Sequence, residues 1–334
     1  MKEDKKVQLT SSEIAPLWNQ YLNDSASVCM LTYYLETAED DELKELIKFA
    51  LDLSKIHIDK LSSIFKEEKF AVPRGFSLER DVDVNAPRLF SDTYILNYLH
   101  QMAKIGLLMY SGGLSGSARA DITEYYIKVI NETMELFKRS KGLLLSKGLF
   151  VRSASLPKVE EANNVEGQGF IFDVLGDKRP LIASEATNLY ANIQRNALGI
   201  ATHTGFGQVA ESQEVKKHIK RGIEIAKKHV KVFAGKLEDD DLPVPATWTA
   251  EVTDSTTYTF SDRIIMYFTS ALTGLSTTYY GTGIAQSPRL DLGVMYNRLS
   301  LEVQKYSEDG ANIMIRNNWM EQPPMVADRS ELKK

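Results

Sequence analysis

This chain carries two copies of one pattern, and that repetition limits its fold more than any other feature. A shift of 172 residues lays LDLSKIHIDKLSSIFKEEKFAVP (51–73) over IEIAKKHVKVFAGKLEDDDLPVP (223–245). Asp52 meets Glu224, Lys55 meets Lys227, His57 meets His229 and Val72-Pro73 meets Val244-Pro245. The same shift pairs Glu13 with Glu185 and Glu39 with Glu211. After a two-residue deletion in the second copy the shift becomes 170. It then carries LFSD (89–92) onto TFSD (259–262), YSGGLSGSARAD (110–121) onto YGTGIAQSPRLD (280–291), and Glu132 onto Glu302. One register held over roughly 120 residues is the mark of tandem duplication, and a period this long means two whole domains, not a short solenoid repeat.

Each copy reads as four helices. In the first, helix A covers about 11–38, opened by Thr10 with Glu13 at the capping-box spacing. Helix B covers about 41–69 and stops before Val72-Pro73. Helix C runs from Ser91-Asp92 to about 115, and helix D from about 118 to 147. The second copy repeats these at about 183–210, 213–240, 262–286 and 288–317, with Pro288 placed one residue after Ser287. Period-2 strand patterns of useful length are missing. The predicted domains are a first bundle at 1–155, a linker at 156–180 and a second bundle at 181–334. The linker mixes charge, Gly and Pro with the apolar patch FIFDVL (170–175) and should dock on one bundle.

Loop lengths set the topology. The short A–B and C–D connections make antiparallel hairpins. The B–C connection, 71–91, can stretch about 65–70 Å, whereas a 28-residue helix is about 42 Å long. It can therefore return the chain to the starting end and make B and C parallel, as in ferritin-like bundles with one long crossover. An up-down-up-down bundle with a decorative loop is the competing arrangement. The expected fold is all-α: two tandem ferritin-like four-helix bundles, each with a long B–C crossover.

That topology brings a polar pair into each core. Leu46, Ala50, Leu53, His57, Leu61 and Ile64 share one face of helix B. On helix D the stripe Ile122, Tyr125, Val129, Glu132, Leu136 includes a glutamate, and Leu292, Met295, Leu299, Glu302, Tyr306 repeats it. His57 should face Glu132 at mid-height, and His229 should face Glu302. Helix A supplies Asp24 at that level in the first copy and Asn196 in the second. A carboxylate di-iron site needs Glu-x-x-His on two helices. Here Ser54 and Ala226 stand three residues before the histidines, while Glu135 and Lys305 stand three after the glutamates, so that ligand set is incomplete. Any activity would be metal-dependent, but not that of a standard di-iron oxidase.

Two readings of the pair remain. In one, each His and Glu hydrogen-bond each other, with Lys104 assisting in the first copy, and no cofactor is expected. In the other, His57, Glu132 and Asp24, with His100 one turn away, hold one divalent Fe, Mn or Zn ion, and His229 with Glu302 form a second site. His203, aligned with Leu31, reads as incidental. Arg119 with Asp121 and Arg289 with Asp291 read as salt bridges tying the C–D turns. SGGLSG (111–116) ends a helix and follows no strand, so its small residues suit close helix approach, not a phosphate loop. LEDDDLP (237–243) lacks calcium-loop spacing.

Composition removes several function classes. The net charge of −5 gives no electrostatic reason to bind nucleic acid. The charged start MKEDKKVQLT is not a secretory signal, no stretch is apolar enough to span a bilayer, and a single cysteine, Cys29, fits a reducing compartment. The expected location is the cytoplasm.

The blocks LWNQYLNDS (17–25), NAPRLFSD (85–92), AKIGL (103–107), LLLSKGL (143–149), GDKRPL (176–181), EVTDST (251–256), YSEDGANIMI (306–315) and NWMEQPP (318–324) are specific in combination. With them the chain resembles an uncharacterised family of tandem ferritin-like proteins from spore-forming bacilli, domain of unknown function 3231, similar to spore coat proteins of the F type. The resemblance implies two bundles, a spore-coat setting, and coat proteins or a second copy of the chain as partners. It carries no catalytic motif. The expected function is a non-enzymatic structural or interaction protein. The alternative is a divergent metal-binding protein, and binding of an unknown small apolar ligand between the helices is a third reading.

Overall fold

The computed structural model describes residues 7–172, 178–245 and 249–330. The charged first six residues and the end of the FIFDVL patch, Asp173–Leu175, lie outside them. Among the described residues the chain is all-α, with eight long helices and one short one. The first repeat holds α1 (Ser11–Thr37), α2 (Asp41–Glu67), the one-turn α3 (Leu78–Asp81), α4 (Asp92–Ser115) and α5 (Ala120–Ser146). The second holds α6 (Ala183–Val209), α7 (Gln213–Glu238), α8 (Asp262–Gln286) and α9 (Leu290–Arg316). Caps and breakers end the helices close to where the sequence places them: Asp40 accepts from the Leu43 N–H at the start of α2, and Ser261 accepts from the Ile264 N–H at the start of α8.

Contacts at the helix ends fix the topology of the first bundle. At one end Glu68, after α2, pairs with Arg119, before α5, and Ser12 of α1 donates to the Gly116 carbonyl after α4. At the other end Lys147, after α5, pairs with Asp40, before α2, at 2.6 Å. The ends of α2 and α4 therefore lie together, the two helices run parallel, and residues 68–91 form the long crossover. The second bundle repeats this. Ser184 donates to the Gln286 carbonyl, Lys236 pairs with Asp291, and Arg316 pairs with Glu214.

A carboxylate closes the same end of each bundle. Glu13, fully buried, accepts from the Thr10 N–H and hydroxyl at 2.8 Å and from the Ala118 and Arg119 N–H groups at 2.9 Å. One side chain thus satisfies orphan donors of two helix starts. Glu185, also fully buried, accepts from the Ile182 and Arg289 N–H groups and takes both terminal nitrogens of Arg179. Burial raises the pKa of either carboxyl, but these donors outweigh it and hold both below the ordinary value. Beside each clamp, Arg119 grips Asp121 and Arg289 grips Asp291 through two hydrogen bonds apiece, tying the turns as expected. One glycine of SGGLSG, and its counterpart in the second repeat, makes the close approach that the sequence suggests. A Cβ on Gly113 would meet the Tyr126 ring at 2.6 Å, and one on Gly283 would meet Tyr296 at 2.6 Å.

The chain divides into two compact units. One comprises Met1–Asn85, Ile95–Lys147 and Asn318–Lys334. There Glu321 of the NWMEQPP block accepts the Arg74 and Gly75 N–H groups of the crossover, where Gly75 takes φ +55°. The other comprises Ala86–Tyr94 and Gly148–Asn317. Within it NAPRLFSD meets EVTDST: Phe90 bridges Val252, the Ser91 N–H donates to the Glu251 carbonyl at 2.9 Å, and the Thr253 N–H donates to the Leu89 carbonyl at 3.0 Å. The end of the connecting segment packs in this same unit, with Arg179 over the Phe170 ring and the Ile171 carbonyl accepting from the Leu290 N–H.

Replacing Glu13 with Ala strips the shared partner from three backbone N–H groups that meet at a fully buried carboxylate. A loss of about 2–3 kcal/mol in folding stability follows, read as a lower urea midpoint with unchanged slope.

Candidate functional site

The polar pair stands where the helical periodicity puts it. His57 is buried on α2, with Ser54 and Leu61 on the same face. Its Nε2 lies 2.9 Å from Glu132 Oε2 on α5, and its Nδ1 lies 3.4 Å from Asp24 Oδ2 on α1. Asp24 is 1% exposed and also accepts from the Gln20 amide at 3.3 Å. The Tyr110 and Tyr125 rings stand edge-on to the imidazole, each with its centroid 6.4 Å away.

Burial penalises a charged imidazole, but hydrogen bonds and charge from Asp24 and Glu132 outweigh the penalty and raise the His57 pKa to about 9. At neutral pH His57 is an imidazolium between two carboxylates. Burial also raises the Glu132 pKa, but the His57 hydrogen bond and charge, with Lys128 at 3.6 Å, bring it below the ordinary value.

The second bundle builds the same contact with different chemistry. His229 Nε2 lies 3.0 Å from Glu302 Oε2, and Lys228 holds both oxygens of Glu302 at 2.9 Å. Where the first copy offers Asp24 to Nδ1, the second offers the Tyr280 hydroxyl at 2.9 Å. That hydroxyl accepts from the Asn196 amide at 3.1 Å. The carboxylate fixes the order: Nε2–H donates to Glu302, Nδ1 accepts from Tyr280, and Tyr280 accepts from Asn196. Burial lowers the His229 pKa, and Glu302 alone does not reverse it against Lys228 and Arg298. This histidine is neutral at pH 7. The two repeats share a geometry and differ in charge: Asn196 stands where Asp24 would add a second carboxylate, and Lys228 and Arg298 oppose protonation of His229.

Several expectations change. Glu132 and Glu302 sit at the rim, with side chains 21% and 31% exposed, because each reaches a lysine while its stem stays packed. His100 does not join the His57 cluster. Its Nδ1 lies 3.1 Å from Ser140 Oγ and its ring stacks on Phe137, near the start of α4; Tyr110 is the α4 residue that reaches His57. The ammonium group beside Glu132 is Lys128, one turn away on the same helix. Burial lowers the pKa of His100, His203 and His218 alike to about 4. Tyr280 shapes the second site although its sequence pattern gave it no role; its register match with Tyr110, which stands beside His57, was the available signal.

The geometry also bears on metal. Asp24 and Glu132 occupy opposite nitrogens of one ring, so no single ion bound to His57 reaches both without side-chain rearrangement. In the second site both nitrogens of His229 are already bonded. Among the described residues, no group of three or more His, Cys, Asp or Glu side chains is arranged to hold a metal ion. No helix among them is long and apolar enough to cross a membrane.

Comparison with protein families matches the chain twice, over residues 1–165 and 169–332, to the family described as Protein of unknown function (DUF3231). The chain belongs to this family. The two matches follow the duplication seen in the sequence. Among curated proteins nothing matches. Among solved structures the chain is similar to a Bacillus halodurans C-125 protein provisionally named a spore coat protein, at 15% identity and a TM-score of 0.41. That alignment covers 45% of this chain and 98% of the other.

The shifts predict opposite pH behaviour. The raised pKa of His57 gives a stabilising contribution that is complete below about pH 6.5 and lost as pH rises through about 9. The lowered pKa of His229 gives one present above about pH 6.5 and lost as pH falls through its folded-state value. Ring-proton NMR should show His57 titrating near 9 and His229 below 6.5, and Asp24→Asn should move only the His57 midpoint downward.

Proposed function

We propose that this DUF3231 protein is a non-enzymatic structural or interaction protein. The observation that carries this reading is that each repeated histidine is saturated by its own bundle. His57 is held between two carboxylates, and His229 between a carboxylate and a hydroxyl. A general base or metal ligand needs a lone pair directed at substrate or ion. Here both ring nitrogens are spent on cross-helix bonds, which suits a residue that fixes helix register. The outer faces support docking. Ile127 and Met134, seven residues apart on α5, are each 47% exposed, and Val294 and Leu301, seven apart on α9, are each 60% exposed. Seven residues return to the same side of a helix, so each outer helix shows a paired apolar contact. The setting we propose, the spore coat, is carried over from the resemblance to coat proteins alone.

A metal-binding function is the rival, and one preparation separates the two. Protein purified without chelator or nickel resin should contain well under one transition metal per chain, and His57→Ala should cost about 3 kcal/mol in urea unfolding because Asp24 loses its buried partner. About one metal per bundle, lost on replacing Glu132 or Glu302, would overturn the structural reading.

A further inference from the structure

The second bundle contains a cavity between its helices, with about 50 Å³ of room for atom centres. At 10–15 Å³ per water-sized atom it takes roughly three to five non-hydrogen atoms. Arg195, Gly199 and His203 line it from α6, spaced four residues apart and so on one face. Ile225, Leu272 and Val303 give it apolar walls.

Two of its polar atoms have no hydrogen-bond partner. Arg195 is only 8% exposed, and its guanidinium lies 4.0 Å over the Tyr279 ring. Its Nη1 is buried with no hydrogen-bond partner, and no carboxylate pairs with it among the described residues. A buried guanidinium stays cationic and is costly to leave without an anion. His203 completes the site. Thr269 Oγ1 donates to the Ile265 carbonyl at 2.9 Å, so it accepts from His203 Nε2–H at 3.2 Å. His203 Nδ1 is thereby left as a bare acceptor, buried and without a partner. Between them a Cβ on Gly199 would meet nothing within 4 Å, which marks a notch in the helix surface. The first repeat has Asn23, Ser27 and Leu31 at the matching positions, so this donor–notch–acceptor set is particular to the second repeat.

We propose that this cavity binds a small carboxylate, its anionic head paired with Arg195 and its short chain lying over Gly199 toward His203. A planar guanidinium matches a carboxylate through two parallel hydrogen bonds, the apolar walls suit a one- or two-carbon chain, and the His203 acceptor favours a ligand that carries a hydroxyl. Acetate and glycolate are the probes of fitting size.

The test is thermal unfolding of the full chain titrated with sodium acetate or glycolate, against sodium chloride and inorganic phosphate at matched ionic strength. Melting temperature should rise with carboxylate concentration, glycolate acting at lower concentration than acetate. Arg195→Met should weaken this response at least tenfold. Gly199→Leu, which fills the notch and keeps the charge, should do the same, and it carries the test should Arg195→Met fail to fold. A carboxylate response equal to that of chloride, an equal response to phosphate, or an undiminished response in Gly199→Leu would overturn the proposal.

Discussion

An imidazole facing a carboxylate across the middle of a helical bundle is the constraint around which each half of this protein is arranged. The imidazole does not belong in an apolar interior alone, and the carboxylate reaching it from the rim removes its need for water. The contact joins α2 to α5 and α7 to α9, helices far apart in sequence, at one height only. A slip of one turn along either helix would break it, so the pair sets register as well as satisfying polarity. The buried carboxylates Glu13 and Glu185 do the same at the bundle end, where each holds the starts of two helices. Mid-height and end are thus both pinned by charge-assisted hydrogen bonds, and the Leu, Ile and Tyr side chains between them pack into a frame already aligned.

Duplication then let the halves diverge in charge. Asp24 completes an imidazolium held by two carboxylates, whereas Asn196 and Tyr280 build a neutral chain through the same ring. The missing second carboxylate, together with the charges of Lys228 and Arg298, leaves the burial of a charged His229 ring uncompensated, whereas two carboxylates offset it at His57. The cavity beside His229 extends this divergence: Arg195 and Gly199 occur on α6, while α1 carries Asn23 and Ser27 at those positions.

Much of this was legible in the sequence because it depends on period and length. Apolar spacing gave the helices, the Val-Pro breakers gave their ends, and a crossover long enough to span the bundle made α2 and α4 parallel. From that, the height of Glu132 opposite His57 followed. What could not be read depends on where side chains end. A glutamate stem can lie on the core face while its carboxylate reaches a lysine at the rim, as Glu132 and Glu302 do. His100 lies on the right helix but faces Ser140, and only the packing of α4 distinguishes it from Tyr110. The partnering of LFSD with EVTDST and of Glu321 with the crossover joins irregular segments that carry no period at all. The charge of each histidine needs all its neighbours at once.

Whether the mid-height contacts hold the bundles together is measured most directly by double-mutant cycles in the full chain at pH 7. His57→Gln with Glu132→Gln should give a coupling of about 1–3 kcal/mol, little reduced by salt because His57 is buried. His229→Gln with Glu302→Gln should give a smaller coupling, since that ring is neutral. A coupling near zero in the first cycle, or equal values that salt abolishes in both, would contradict the account.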